Sequence, residues 1–140
     1  NLADIKRVTM RKKLLFVDDD QNFLASIARR LRHREQEWEL VLNTSVSQAF
    51  KTIRENEIDV IISDVFMPGA GGMEFLGFLK EGIHTKTIPI IMITGKNDEE
   101  LKRRAINLGA VDLLKKPFEP EELIASLVSA LYPNEKHQTK

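Results

Sequence analysis

Apolar residues fall into five short runs along the chain, residues 14–17, 38–42, 60–63, 90–93 and 111–114. Their length and β-branched content predict strands. The third and fourth (Val-Ile-Ile and Ile-Ile-Met-Ile) lack alternation, as strands do when a sheet is covered on both faces. Helical spacing fills the intervals. Leu24, Ile27 and Leu31 mark the first helix, and Ala49, Phe50 and Ile53 the second, with Ser45 or Ser47 as its N-cap. Phe75, Leu76 and Leu79 mark the third. Leu101, Ala105 and Leu108 mark the fourth, ahead of Gly109 as a helix stop. The last helix starts near Glu121, carries Leu123, Leu127 and Leu131, and closes at Pro133. Pro120 suits its first turn, and Glu121 and Glu122 complement the dipole there. Strand and helix alternate five times, which predicts one α/β domain with a parallel sheet and right-handed crossovers.

Composition adds mainly exclusions. The 140 residues contain no cysteine, so disulfides, thiolate zinc sites and cysteine nucleophiles are ruled out. Bases and acids balance at 21 each, and no bulk field favours nucleic acid or an anionic membrane. The distribution is uneven, because residues 1–13 hold five bases and one acid, leaving a net of −4 on the rest. Residues 1–11 are therefore expected to be a solvated basic lead-in, residues 12–132 the domain, and 133–140 a frayed polar tail. No apolar stretch approaches the ~20 residues of a membrane span or follows the basic start as in a signal peptide. A cytoplasmic location is expected. A first residue of Asn suggests a processed or excised chain.

Open parallel sheets bind ligands beyond the carboxyl ends of their strands. There the chain places Asp18, Asp19 and Asp20 after the first run, Asp64 after the third, Thr94 after the fourth and Lys116 after the fifth. Clustered carboxylates raise one another's pKa unless a cation sits among them, and an oxygen-only ligand set suits a hard ion such as Mg2+. A hydroxyl and an ammonium opposite that cation can hold phosphoryl oxygens, with an aspartate as nucleophile. Taken singly, Asp20 reads as a helix cap, Thr94 as a turn residue and Lys116 as a solvated lysine. His33, His84 and His137 lack metal-ligand spacing. Arg29, Arg30, Arg32, His33 and Arg34 read as a basic cluster on the first helix, and Trp38 as a packing anchor.

The stretches Leu14-Leu15-Phe16-Val17-Asp18-Asp19-Asp20, Ile61-Ile62-Ser63-Asp64-Val65-Phe66-Met67-Pro68-Gly69, Ile93-Thr94-Gly95 and Lys116-Pro117-Phe118 resemble the receiver domain of bacterial two-component response regulators. The resemblance implies a flavodoxin-like (βα)5 sandwich with strand order 2-1-3-4-5. It implies Asp64 as acceptor of a phosphoryl group from a sensor histidine kinase or phosphotransfer protein. Asp18, Asp19, Asp64 and the backbone carbonyl of Phe66 would hold Mg2+, with Asp18 acting largely through water. Thr94 would bond the phosphoryl group after transfer, Lys116 would pair with Asp64 or its phosphate, and the bond before Pro117 would be cis. Output would pass through the face of the fourth helix, fifth strand and fifth helix, a surface suited to a homodimer. No direct nucleic-acid or membrane contact is implied for this domain. The chain would act as a switch, not as an enzyme turning over a free substrate.

Two departures carry expectations. Leu113 stands where many members have an aromatic switch residue, so the signal from Thr94 must use aliphatic repacking or helix movement. Residues 69–72 include three glycines, which predicts a permissive, mobile loop. Phe66 and Lys96 occupy the positions that tune phosphate lifetime in the family, and neither can orient an attacking water, so slow self-dephosphorylation is expected. Two alternatives compete: a haloacid-dehalogenase-like phosphatase using Asp18-Asp19-Asp20, and a pseudo-receiver that is never phosphorylated.

Overall fold

Residues 11–69 and 71–133 are described by a computed structural model. Its strands are β1 (Lys12–Val17), β2 (Trp38–Asn43), β3 (Val60–Asp64), β4 (Ile90–Thr94) and β5 (Asp112–Lys115). They form one parallel sheet in the order β2-β1-β3-β4-β5, the order implied by the resemblance. The helices are α1 (Gln21–Arg30), α2 (Val46–Glu55), α3 (Gly72–Glu81), α4 (Glu99–Asn107) and α5 (Pro120–Leu131). None of the described helices is long and apolar enough to cross a membrane.

Side-chain alternation along β1 divides the core in two. Leu14 and Phe16 pack with Leu24, Ile27 and Leu31 at α1 and with Leu123 and Leu127 of α5. Leu15 and Val17 pack on the other face with Ala49 of α2, Phe75, Leu76 and Leu79 of α3, and Leu101 and Ala105 of α4. Every residue of β3 and β4 is buried, because helices cover both of their faces.

Local chemistry sets the helix ends. Asp20 caps α1, its Oδ1 accepting from the backbone N–H groups of Asn22 and Phe23 at 3.0 and 3.1 Å. Ser45, not Ser47, caps α2. Asp98 caps α4, and Pro120 opens α5. At Gly109 φ is +114°, a conformation that favours glycine, and a Cβ there would also press on the stem of Lys80 at 3.1 Å. The turn that it makes alters two sequence expectations. Leu108 is the C-cap of α4 and is exposed instead of completing an apolar stripe. Val111 is also exposed, and its N–H donates to Ile90 O at 2.8 Å as the chain enters β5, which begins one residue later than expected.

The basic cluster is not a single helix face. α1 ends at Arg30, and Arg32–Arg34 form a separate 3-10 turn in which the Arg34 guanidinium lies 4.4 Å from the centre of the Trp38 ring. Trp38 is 1% exposed and donates through Nε1 to the Tyr132 hydroxyl at 2.9 Å, tying the start of β2 to the end of α5. The lead-in up to residue 10 and the tail from residue 134 lie outside the described residues.

Candidate functional site

Sheet register brings the chemistry together. Val17 pairs with Ser63, Asp64 with Ile93, and Thr94 with Lys115. The residues that end or follow these strands, Asp18, Asp64, Thr94 and Lys116, therefore collect along one edge. Backbone hydrogen bonds extend the sheet past the side chains involved. Asp18 N–H donates to Asn43 O at 3.1 Å, Val65 N–H to Ile93 O at 2.8 Å, and Lys116 N–H to Thr94 O at 2.7 Å.

The carboxylates of Asp18, Asp19 and Asp64 each offer an oxygen within 4.8 Å of the other two. Asp18 and Asp64 are buried and Asp19 is exposed, so the cluster opens to solvent on one side. Burial and, next, the charge of Asp18 raise the Asp64 carboxyl from 3.8 to about 6. Lys116 and the backbone N–H of Phe66 pull it partly back, and Asp19 adds further repulsion. Three oxygen donors, with no nitrogen or sulfur ligand among them, fit a hard divalent cation such as Mg2+. A cation there would relieve the repulsion that the fold imposes.

Lys116 departs from the sequence expectation in this state. Its Nζ donates to Asp18 Oδ2 at 2.8 Å, so it pairs with the carboxylate of β1's end and not with Asp64. Asp18 is spread over two roles, since its Oδ1 accepts from the Asp20 N–H at 2.9 Å. The Lys116–Pro117 peptide is cis. Thr94 is fully buried, and its Oγ1 accepts from the Lys96 N–H at 3.1 Å, which ties the hydroxyl to the loop after β4. Leu113 is half-buried and packs on the core face beneath α2, α3 and α4.

Phe66 and Lys96 meet across the mouth of the site. Phe66 is 48% exposed, and Lys96 Nζ lies 4.5 Å from the centre of its ring. Within residues 69–72, Ala70 lies outside the described residues, and Gly72 is there for a reason other than permissiveness. It is buried, its N–H donates to Val65 O at 2.9 Å, and an added Cβ would collide with Asp64 O and lie 2.9 Å from the Asp64 carbonyl carbon. The start of α3 thus braces the backbone of Asp64.

Phe23 escaped the sequence reading. Phe23 places its ring 4.1 Å from Lys116 Nζ, and Phe118 meets Phe23 edge-on at 6.1 Å between centres. An aromatic at helical spacing reads as core, and nothing in its position along the chain signals a lysine above it. Together with Ile27, Arg30 and Pro117 these rings line a groove of about 340 Å3 beside Lys116. Asp20 caps α1 through Oδ1 and is not among the carboxylates that converge at the site, whereas an Asp-x-Asp phosphatase would bring it in beside Asp18.

Comparison with known proteins yields one consistent family. The sequence model described as the response regulator receiver domain matches residues 14–128. The phosphate regulon transcriptional regulatory protein PhoB of Pseudomonas aeruginosa is 38% identical over 120 residues, covering 86% of this chain and 52% of that protein. The regulatory protein VanR of Enterococcus faecium is 32% identical over 122 residues, covering 87% and 51%. The chain therefore spans about half the length of these relatives. Among solved structures, the chemotaxis response regulator CheY4 of Vibrio cholerae superimposes with a TM-score of 0.78 at 31% identity, covering 86% of this chain and 99% of that one.

Proposed function

This chain belongs to the response regulator receiver domain family, whose function is phosphorylation-based signalling, and on that premise we propose that Asp64 is its phosphoryl acceptor. The donor is a phosphohistidine on a sensor histidine kinase or phosphotransfer protein. An Asp64 carboxylate oxygen attacks phosphorus in line, the P–N bond breaks, and its electron pair returns to the imidazole of the donor, leaving an acyl phosphate on Asp64. Asp18, Asp19, Asp64 and the Phe66 carbonyl would hold Mg2+, which supplies charge neutralisation for the phosphoryl oxygens. The groove beside Lys116 offers the partner an apolar seat next to the acceptor.

One observation carries this reading: two buried carboxylates and an exposed third converge with an ammonium at one sheet edge, and the acceptor's ionisation is resisted there. Burial and that repulsion both work against the ionised carboxylate, and a cation-assisted acceptor accounts for the arrangement. After transfer, Lys116 leaves Asp18 for a phosphoryl oxygen, and the Thr94 hydroxyl, still accepting from the Lys96 N–H, donates its proton to another. The loop after β4 moves with it and biases the face of α4, β5 and α5, with Leu113 repacking in place of an aromatic rotation. That face is also the proposed homodimer surface. The domain works as a switch without turnover of a free substrate.

The test is binding of beryllofluoride, a phosphoryl mimic, followed by 19F NMR. A bound signal that needs Mg2+ and disappears in Asp64→Asn is expected. A signal that persists in that variant would overturn the assignment of the acceptor.

A further inference from the structure

Lys116 is held from two directions. Its ammonium donates to Asp18 Oδ2 at 2.8 Å and sits 4.1 Å from the centre of the Phe23 ring. Phe23 is itself anchored. Its backbone N–H is bonded into the cap of α1 through Asp20 Oδ1, and Phe118 stands against it at an interplanar angle of 87°. An aromatic face attracts an ammonium through its quadrupole, more strongly where water is excluded. The Lys116 side chain is 24% exposed and that of Asp18 only 3%, so the contact lies in a partly dried site.

Both contacts stabilise the ammonium on the Asp18 side. A cation entering the carboxylate cluster must compete with Lys116 for Asp18, and a phosphoryl group on Asp64 must draw Lys116 away from it. We propose that Phe23 is a positioning residue that keeps Lys116 on Asp18 and thereby opposes both Mg2+ uptake and the movement of Lys116 toward the acceptor. This rests on the proposed role of Asp64. It makes α1 part of the switch, since anything that shifts the Phe23 ring changes the hold on Lys116 without touching a carboxylate.

The whole chain is compared as parent, Phe23→Leu, Phe23→Met and Phe23→Tyr, the two aliphatic variants guarding against a single folding failure. Proton–carbon NMR of the metal-free protein reads the ring directly. The Lys116 ε-methylene protons are expected upfield in the parent and Phe23→Tyr, and at ordinary positions in the aliphatic variants. Mg2+ titration is expected to show dissociation constants lowered about threefold in Phe23→Leu and Phe23→Met, a factor within reach of one ammonium–ring contact, and unchanged in Phe23→Tyr. An unshifted Lys116 in the parent overturns the proposal, as do Mg2+ affinities equal across all four proteins. A parent that shows the shifted lysine yet binds no Mg2+ overturns the metal-assisted acceptor together with the opposition assigned to Phe23. Normal Mg2+ and beryllofluoride binding, with the aliphatic variants unchanged, overturns the role of Phe23 alone.

Discussion

Replacing Asp64 by asparagine removes a carboxylate whose ionisation the fold resists, so its loss should stabilise the protein. The magnitude follows from the shift of its carboxyl from 3.8 to about 6. Each unit is worth ~1.4 kcal/mol, which gives an upper limit of about 3 kcal/mol. The sign is fixed by proton counting. Between the two values the folded state binds more protons than the unfolded one, so the parent loses stability as pH rises from about 4 to about 6 and stays lower above that. Asparagine does not ionise and escapes the loss. With a chelator present at pH 7.5, Asp64→Asn should unfold at higher urea or temperature by up to about 3 kcal/mol, at roughly 3–5 °C per kcal/mol for a domain of this size. At pH 4 the gap should shrink to about 0.5 kcal/mol. Saturating Mg2+ should then close the gap at pH 7.5, since ligand at 100 times its Kd adds ~2.7 kcal/mol to the parent alone. Identical unfolding of parent and variant in chelator at pH 7.5, or a gap that does not depend on pH, would refute the electrostatic reasoning.

Other positions give independent checks. Gly72→Ala should destabilise by about 2 kcal/mol or more, because its Cβ would meet the Asp64 backbone, and should impair Mg2+ binding; Gly77→Ala, within α3 where a Cβ meets nothing within 4 Å, should stabilise by ~0.5–1 kcal/mol. Equal thermal shifts for the two would contradict the bracing role of Gly72. Phe66→Asn places an amide beside the proposed acceptor and removes the ring under Lys96, so phosphate loss from Asp64, followed by intact mass over time, should quicken at least about threefold. An unchanged lifetime would count against Phe66 as a shield. Tyr132→Phe leaves the buried Trp38 Nε1–H without that acceptor and should cost ~1–2 kcal/mol in urea unfolding, with phosphoryl uptake unaltered.

The elements and their order were legible because apolar runs and helical stripes state which faces must be buried. Leu14 through Val17 and residues 60–63 need cover on both sides, and a parallel sheet between two helix layers supplies it. Which side chains gather at the sheet edge was legible too, since position after a strand decides it. Pairing was not. Whether Lys116 reaches Asp18 or Asp64 depends on ångström-scale geometry at the end of a flexible side chain, and on a ring contributed by α1. Gly72 is the converse case, because a glycine required by close approach looks the same in sequence as one that loosens a loop. Leu108 and Val111 read as core by spacing, but the turn at Gly109 carries both outward.

The central claim is tested most directly by intact mass after incubation with acetyl phosphate, with and without Mg2+, for the parent and Asp64→Asn. One phosphoryl adduct that requires Mg2+ and is absent from the variant is the expected result. An adduct that survives in Asp64→Asn, or a folded parent that takes neither the adduct nor beryllofluoride, would contradict it.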